Sequence, residues 1–84
     1  MTDTEFDVLD ELYFVTSFEK LQKSVSLPSE ELKAVLEDLI QKGWVKCFYA
    51  DKDEVITESI LLAQHYTEYH YLATKAGLIA HNSR

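Results

Sequence analysis

The first half of the chain predicts three α-helices, because apolar residues recur there every three to four positions. We predict the first helix over 4–15, with Thr4 as its N-cap. A break at 16–17 precedes a short second helix, for which Thr16 and Glu19 have the spacing of a capping box. The apolar positions of these two helices are Phe6, Val8, Leu9, Leu12, Tyr13 and Val15, then Phe18, Leu21 and Val25.

The third helix has the clearest pattern of the three. It is predicted over 28–42, because Pro28 is tolerated in a first helical turn and Gly43 can supply a left-handed C-cap. Its apolar stripe follows one face of a helix and consists of Leu32, Val35, Leu36, Leu39 and Ile40.

After the third helix the pattern changes to the alternation that is typical of β-strands. Residues 44–49 are rich in aromatic and β-branched side chains and predict one strand, and 69–72 predict another. Residues 74–80 predict a short closing helix in which Thr74 is the N-cap and Gly77 is a weak point.

The segment between these strands has the least regular pattern. The polar residues 51–53 predict a turn. Residues 54–57 could pair back as a strand, whereas 59–66 could form a helical turn or an extended loop.

Three short helices followed by two strands predict one α+β domain over 1–84. Helices of this length enclose a core only if another layer closes the open side, and a strand pair packed on them would do so. This order of elements resembles that of winged helix-turn-helix domains, and the resemblance implies a helix-turn-helix core of three helices, a wing of two or three strands and a short C-terminal helix.

Two local patterns resemble bacterial transcriptional regulators of the MarR and PadR types. Leu36-x-x-Leu39-x-x-x-Gly43-Trp44-Val45 is similar to their junction between the third helix and the first wing strand. Tyr71-Leu72-Ala73-Thr74-Lys75-Ala76-Gly77-Leu78 is similar to the segment where their second wing strand enters the next helix. The chain departs from the family pattern in the long span between Ala50 and Glu68, and in the alanine before Thr74 where leucine is usual.

The resemblance implies that the third helix enters the major groove of DNA and that the protein acts as a dimer. The candidate DNA-facing residues are Ser29, Glu30, Lys33 and Glu37 on the third helix, Lys20 and Lys23 on the second, and Lys46 and Lys52 in the wing. Affinity for DNA comes mainly from cations that neutralise phosphates, whereas the candidate DNA-facing positions of the third helix have one lysine, Lys33, among carboxylates. Lys20 and Lys23 could contact phosphates or be ordinary solvated lysines.

The charge of the chain bears on its partners. The net charge is −7, and the first 42 residues hold ten acidic residues against four lysines. This excess could serve solubility, or it could repel phosphate and attract a basic partner. The candidate protein-contact residues lie on the first helix, with the two aromatics near its end, and are Asp7, Asp10, Glu11, Tyr13 and Phe14. Tyr13 and Phe14 could form an aromatic patch with a charged rim, or they could only cover the core.

The sequence contains no pattern that predicts a catalytic, cofactor or metal site. Cys47 is the only cysteine and is interpreted as a small core or edge residue rather than a nucleophile. His65, His70 and His81 match no zinc spacing, and the turn at 51–53 lacks the later ligands of a calcium loop. An aromatic cluster near the second strand consists of Tyr66, Tyr69, His70 and Tyr71. These side chains could stack on nucleic-acid bases or line a pocket, but aromatic residues in a strand more typically pack in the core or against the neighbouring strand.

These observations predict a regulatory module without enzymatic activity that acts through protein contacts, with a protein partner or as a homodimer. The alternative is a sequence-specific, dimeric regulator that binds duplex DNA. No segment has the length of a membrane span or the layout of a secretory signal, so we expect a cytoplasmic protein without membrane contacts.

Overall fold

A computed structural model describes residues 1–49 and 65–83. These residues form four helices and a three-stranded antiparallel sheet, which confirms the predicted α+β class. In chain order the elements are α1 (Asp3–Asp10), β1 (Thr16–Ser17), α2 (Phe18–Val25), α3 (Ser29–Gln41), β2 (Val45–Tyr49), β3 (Tyr69–Ala73) and α4 (Lys75–Asn82). The layout is compatible with a winged helix. Lys52, the predicted turn at 51–53 and the alternatives for 54–64 lie outside the described residues.

Helix α1 begins and ends earlier than predicted. Its N-cap is Thr2 rather than Thr4, because the Thr2 hydroxyl accepts from the Glu5 amide at 3.1 Å and the Glu5 carboxylate accepts from the Thr2 amide at 2.9 Å. The predicted end at residue 15 is wrong. The Leu12 carbonyl accepts from the amide of Ala73 on β3 at 2.9 Å, so it is used by the sheet rather than by the next helical turn.

Strand β1 includes Thr16, which was predicted to begin a capping box for the second helix. Thr16 pairs with Tyr71 of β3 and therefore belongs to the sheet. Ser17 caps α2 instead, since its hydroxyl accepts from the amide of Lys20 at 3.2 Å. The Thr16 hydroxyl donates to the Phe14 carbonyl at 2.8 Å, which holds the chain as it leaves α1 and enters the sheet.

The turn between α2 and α3 is closed by side chains as well as backbone. Ser26 has a left-handed conformation with φ 55°, and Gln22 donates from Nε2 to the Leu27 carbonyl at 3.1 Å and to the Ser29 hydroxyl at 2.9 Å. Helix α3 begins one residue after Pro28. Gly43 has φ 77°, as its predicted role at the end of this helix requires.

The sheet has the order β1-β3-β2, and one face of it closes the helical core. Val45 and Cys47 on β2 face Ala73 and Tyr71 on β3, and all four are buried. The other buried apolar side chains are Tyr69 on β3, Leu12 just after α1, and those of the helices, namely Val8, Leu9, Phe18, Leu21, Leu32, Leu36 and Leu39.

Helix α4 packs closely on the sheet where the junction between β3 and α4 meets the junction between α3 and β2. Thr74 caps this helix as predicted, and its hydroxyl also donates to the Gly43 carbonyl at 2.6 Å. A Cβ atom at Gly77 would lie 2.1 Å from the Trp44 carbonyl oxygen. Gly77 is therefore required for the packing rather than being a weak point, and α4 continues to Asn82 instead of ending near residue 80.

Candidate functional site

Three consecutive exposed apolar side chains occur just after α1, and they include Phe14, the most exposed large apolar side chain in the described part of the chain. Tyr13, Phe14 and Val15 are 42%, 81% and 54% exposed, and we call residues 13–15 the aromatic loop. Phe14 therefore does not cover the core. Single exposed apolar residues are common on protein surfaces, but a contiguous group of them indicates a contact site.

The backbone of the aromatic loop is held at both ends. On one side, buried Leu12 accepts the hydrogen bond from Ala73. On the other side, Thr16 pairs with β3 and its hydroxyl bonds to the carbonyl of Phe14. The exposed ring of Phe14 is consequently presented by an ordered backbone.

Tyr13 fastens the loop to α4. Its hydroxyl lies 2.9 Å from Nδ1 of His81 and donates to Oδ1 of Asn82 at 3.1 Å. The His81 imidazole is 9% exposed and stacks on the Phe6 ring of α1, with 4.2 Å between the ring centroids. Ile79, which is 57% exposed, lies on the same helix three residues before Asn82.

A carboxylate completes the environment of His81. Nε2 of the imidazole lies 3.2 Å from Oδ1 of Asp10, yet it makes no well-aligned hydrogen bond among the described residues. A neutral imidazole with its proton on Nδ1 has no N–H at Nε2, whereas an imidazolium would present one to Asp10. The contact keeps the end of α1 close to α4.

The surface next to the aromatic loop is acidic. Asp7, Asp10 and Glu11 are exposed and lie on one face of α1, since they are spaced i, i+3 and i+4. We call them the acidic face. Asp10 ends the helix and Glu11 is its C-cap, where the negative end of the helix dipole disfavours carboxylates by roughly 0.3–1 kcal/mol each. Carboxylates at the C-terminal end of a helix run against the usual charge preference, and such exceptions are typical of functional surfaces.

Glu5 on the same helix has a different role. It is buried, and its carboxylate accepts from Lys42 Nζ at 2.7 Å. The hydrogen bond from Lys42 lowers the pKa of Glu5, helped by the bond from the Thr2 backbone. This ion pair ties α1 to the end of α3, so it is structural and leaves Glu5 outside the acidic face.

The candidate DNA-facing residues of α3 are partly occupied by other contacts. Lys33 Nζ lies 3.0 Å from Glu30 and 5.2 Å from the centre of the Tyr66 ring. The Ser29 hydroxyl accepts from Gln22 in the turn before α3. Glu37 is exposed and adds negative charge to this surface.

Two of the other cations of that set that the structure describes have neighbours of their own. Lys23 pairs with Glu19 at 3.2 Å, and Lys46 Nζ lies 6.0 Å from the centre of the Phe48 ring. Lys20 is exposed. Phosphate binding depends on cations that are free to contact it, and Lys23 is already paired with a carboxylate.

The histidines and the cysteine are dispersed. His65 lies 2.5 Å from Glu68, His70 is half-buried on β3, and Cys47 is buried in the sheet, where desolvation raises its pKa to about 11. Within residues 1–49 and 65–83, no group of three or more potential ligands could hold a metal ion. No helix in this described part is long and apolar enough to cross a membrane.

The aromatic cluster packs, as one of its two interpretations predicted. Tyr69 and Tyr71 are buried, and the Tyr71 hydroxyl donates to the Tyr66 carbonyl at 2.6 Å. Tyr66 meets the edge of Phe18 with ring centroids 4.7 Å apart.

The sequence interpretation missed the α4 side of the surface, namely Ile79, His81 as a positioning residue, and Asn82. In the sequence, the C-terminal end is only a mixture of polar and apolar residues, which does not by itself indicate a contact surface. No local pattern connects that segment to Tyr13, which is 68 residues from His81.

No protein-family model matches the chain, and no curated protein or solved structure matches it at a significant level.

Proposed function

We propose that the chain is a winged-helix module that acts as a regulatory or adaptor domain through protein contacts. Its contact surface is the aromatic loop together with the acidic face. The observation that carries the proposal is the 81% exposure of Phe14 on a backbone that is held at both ends. The proposal assigns no catalytic step to the chain.

The physical support comes from what this surface offers a partner. Protein interfaces commonly combine aromatic anchors with a polar rim, and a few such anchors carry most of the binding free energy. An anchor on an ordered loop loses little conformational entropy when it binds. Phe14 has this arrangement, with Tyr13 fixed to α4 beside it.

Duplex DNA binding is the alternative function, and it is supported by the resemblance and by the helix-turn-helix layout of α2 and α3. The charges oppose it, since Lys23 and Lys33 pair with carboxylates. Titration with mixed DNA fragments at about 20 mM salt, where screening is weak, tests this alternative. Binding that weakens steeply with added salt would favour DNA over the proposed function.

Site-specific photo-crosslinking tests the proposed function directly. A photoreactive phenylalanine analogue replaces Phe14 in one variant and Glu31, which is exposed on α3, in a matched control. In an extract of the cells that make the protein, we expect discrete crosslinked species with the probe at position 14 and none of the same mass at position 31. Identical patterns at both positions, or no crosslink at 14, would contradict the proposal.

Light scattering distinguishes the two kinds of protein partner. A homodimer formed through this surface would dissociate in a Phe14→Ser variant. A monomer that crosslinks at position 14 would indicate a different protein as partner.

A further inference from the structure

We infer that the partner of this surface is a cationic segment of another protein, with an apolar side chain that contacts Phe14 and with lysine or arginine side chains that contact the acidic face. This inference rests on the proposed function and specifies the chemistry of the partner.

The first argument is the charge of the rim. Asp7, Asp10 and Glu11 are all exposed, and His81 is the only basic side chain that contacts any of them in the described part of the chain. A cation near this face would be attracted by neighbouring carboxylates at helical spacing. It would also compensate the negative end of the α1 dipole.

The same charges disfavour the other occupants. A second copy of the chain, docked by two-fold symmetry, would place one acidic face near the other, and each copy has a net charge of −7. Nucleic acids and anionic lipid surfaces are repelled for the same reason. A cationic protein segment is the occupant that the charge complementarity favours.

The second argument is the distance between the charged and apolar parts. Glu11 precedes Phe14 by three residues, and three residues span at most about 11 Å. One short segment, such as two or three turns of an amphipathic helix, can therefore contact both. Ile79 on α4 is a further exposed apolar side chain, three residues before Asn82, which accepts a hydrogen bond from Tyr13.

The third argument is that the surface is already ordered. The imidazole of His81 is nine-tenths buried and has its Nε2 next to Asp10, while its Nδ1 faces the Tyr13 hydroxyl. One side chain thus positions both an acidic and an aromatic member of the surface. A partner would meet them in a fixed relative placement, which lowers the entropic cost of binding.

The test uses three labelled synthetic peptides and the full chain. The first is an amphipathic helix of leucine and lysine, the second has glutamate in place of every lysine, and the third has serine in place of every leucine. Fluorescence anisotropy measures the affinity of each. We expect the leucine–lysine peptide to bind most tightly, with at least a tenfold margin over the other two.

Variants locate the binding site. Asp7→Asn with Glu11→Gln should weaken binding of the leucine–lysine peptide about three- to tenfold, and Phe14→Ser should weaken it by about tenfold or more. The matched control is Glu31→Gln with Glu37→Gln, which removes two exposed carboxylates from α3 and changes the net charge equally. This control should bind almost like the unmodified chain.

The inference is overturned if the glutamate peptide binds as well as the lysine peptide, or if both double variants lose affinity equally. The latter result would indicate attraction by net charge alone. A partner that crosslinks at position 14 could bind equally well to the variant with Asp7→Asn and Glu11→Gln. That result would reject this inference but leave the proposed function in place. Absence of that crosslink would reject the proposed function itself.

Discussion

The hydroxyl of Tyr13 lies 2.9 Å from Nδ1 of His81, although 68 residues separate them in the chain. This contact joins the aromatic loop after α1 to the last helix. Tyr13→Phe removes the hydroxyl, and with it the bonds to His81 and Asn82, so we expect a loss of about 0.5–1.5 kcal/mol in the free energy of unfolding. Urea denaturation measures this loss, and amide hydrogen exchange should accelerate in the aromatic loop.

Phe14→Ser is the comparison for that prediction. Because Phe14 is 81% exposed, its replacement should change stability by no more than about 0.5 kcal/mol. Equal stability of Tyr13→Phe and the unmodified chain would show that the contact with α4 does not hold the loop.

Gly77→Ala should destabilise the protein although alanine is the better helix former. The added Cβ would lie 2.1 Å from the Trp44 carbonyl oxygen, so α4 or the start of β2 must shift. We expect a loss of about 1–3 kcal/mol, whereas an open helical site would gain up to about 1 kcal/mol. Thermal and urea unfolding both report the change.

The control is the opposite substitution, Ala76→Gly, at the residue next to Gly77. Ala76 is exposed in the first turn of α4, so the ordinary helix propensity should apply without a packing term, and glycine should cost no more than about 1 kcal/mol. If Gly77→Ala raised stability, the close approach of α4 to Trp44 would be disproved.

The pair of Glu5 and Lys42 should make stability depend on acid pH. The hydrogen bond from Lys42 lowers the pKa of Glu5 in the folded state below its ordinary value of 4.5. The ionised carboxylate therefore stabilises the fold above that value, and this contribution is lost as the pH falls through the lowered pKa. Urea unfolding from about pH 3 to pH 7 should show stability falling towards the acid end.

Glu5→Gln should flatten that acid limb and lower stability at neutral pH, because Lys42 loses its partner. Glu31→Gln on α3 is the matched control and should keep the shape of the profile. An unchanged pH profile in Glu5→Gln would contradict the assignment.

Cys47 should resist modification in the folded protein. Burial raises the pKa of its thiol from 9.0 to about 11, so the reactive thiolate is about a hundredfold less abundant than for an ordinary cysteine. The side chain is also inaccessible. A thiol-specific reagent at neutral pH should react slowly with the native chain and rapidly in urea. Equally rapid reaction in both states would show that the sheet opens readily around this residue.

Helix α3 was predictable to within one residue at each end. Its stripe from Leu32 to Ile40 and its stop at Gly43 are local signals that depend on neighbours in the sequence. The cap of α4 by Thr74 was predictable for the same reason. Strands β2 and β3 were recognisable from their aromatic and alternating residues, although the prediction started β2 one residue early and ended β3 one residue early.

The candidate surface was only partly predictable. The sequence pointed to the acidic residues of α1 and to Tyr13 and Phe14, but it left open whether the two aromatics cover the core. The exposure of Phe14 depends on where α1 ends, and that depends on the bond between Leu12 and Ala73.

The sequence alone determined the elements whose signals are local: the apolar stripes, Gly43 at the end of α3, Thr74 at the start of α4, and the acidic charge. Tertiary structure alone decided the early end of α1, the use of Ser17 as a cap, the need for glycine at position 77 and the attachment of Tyr13 to His81. Each of these depends on residues far apart in the chain that only packing brings together, where a hydrogen bond or a steric limit outweighs the local preference.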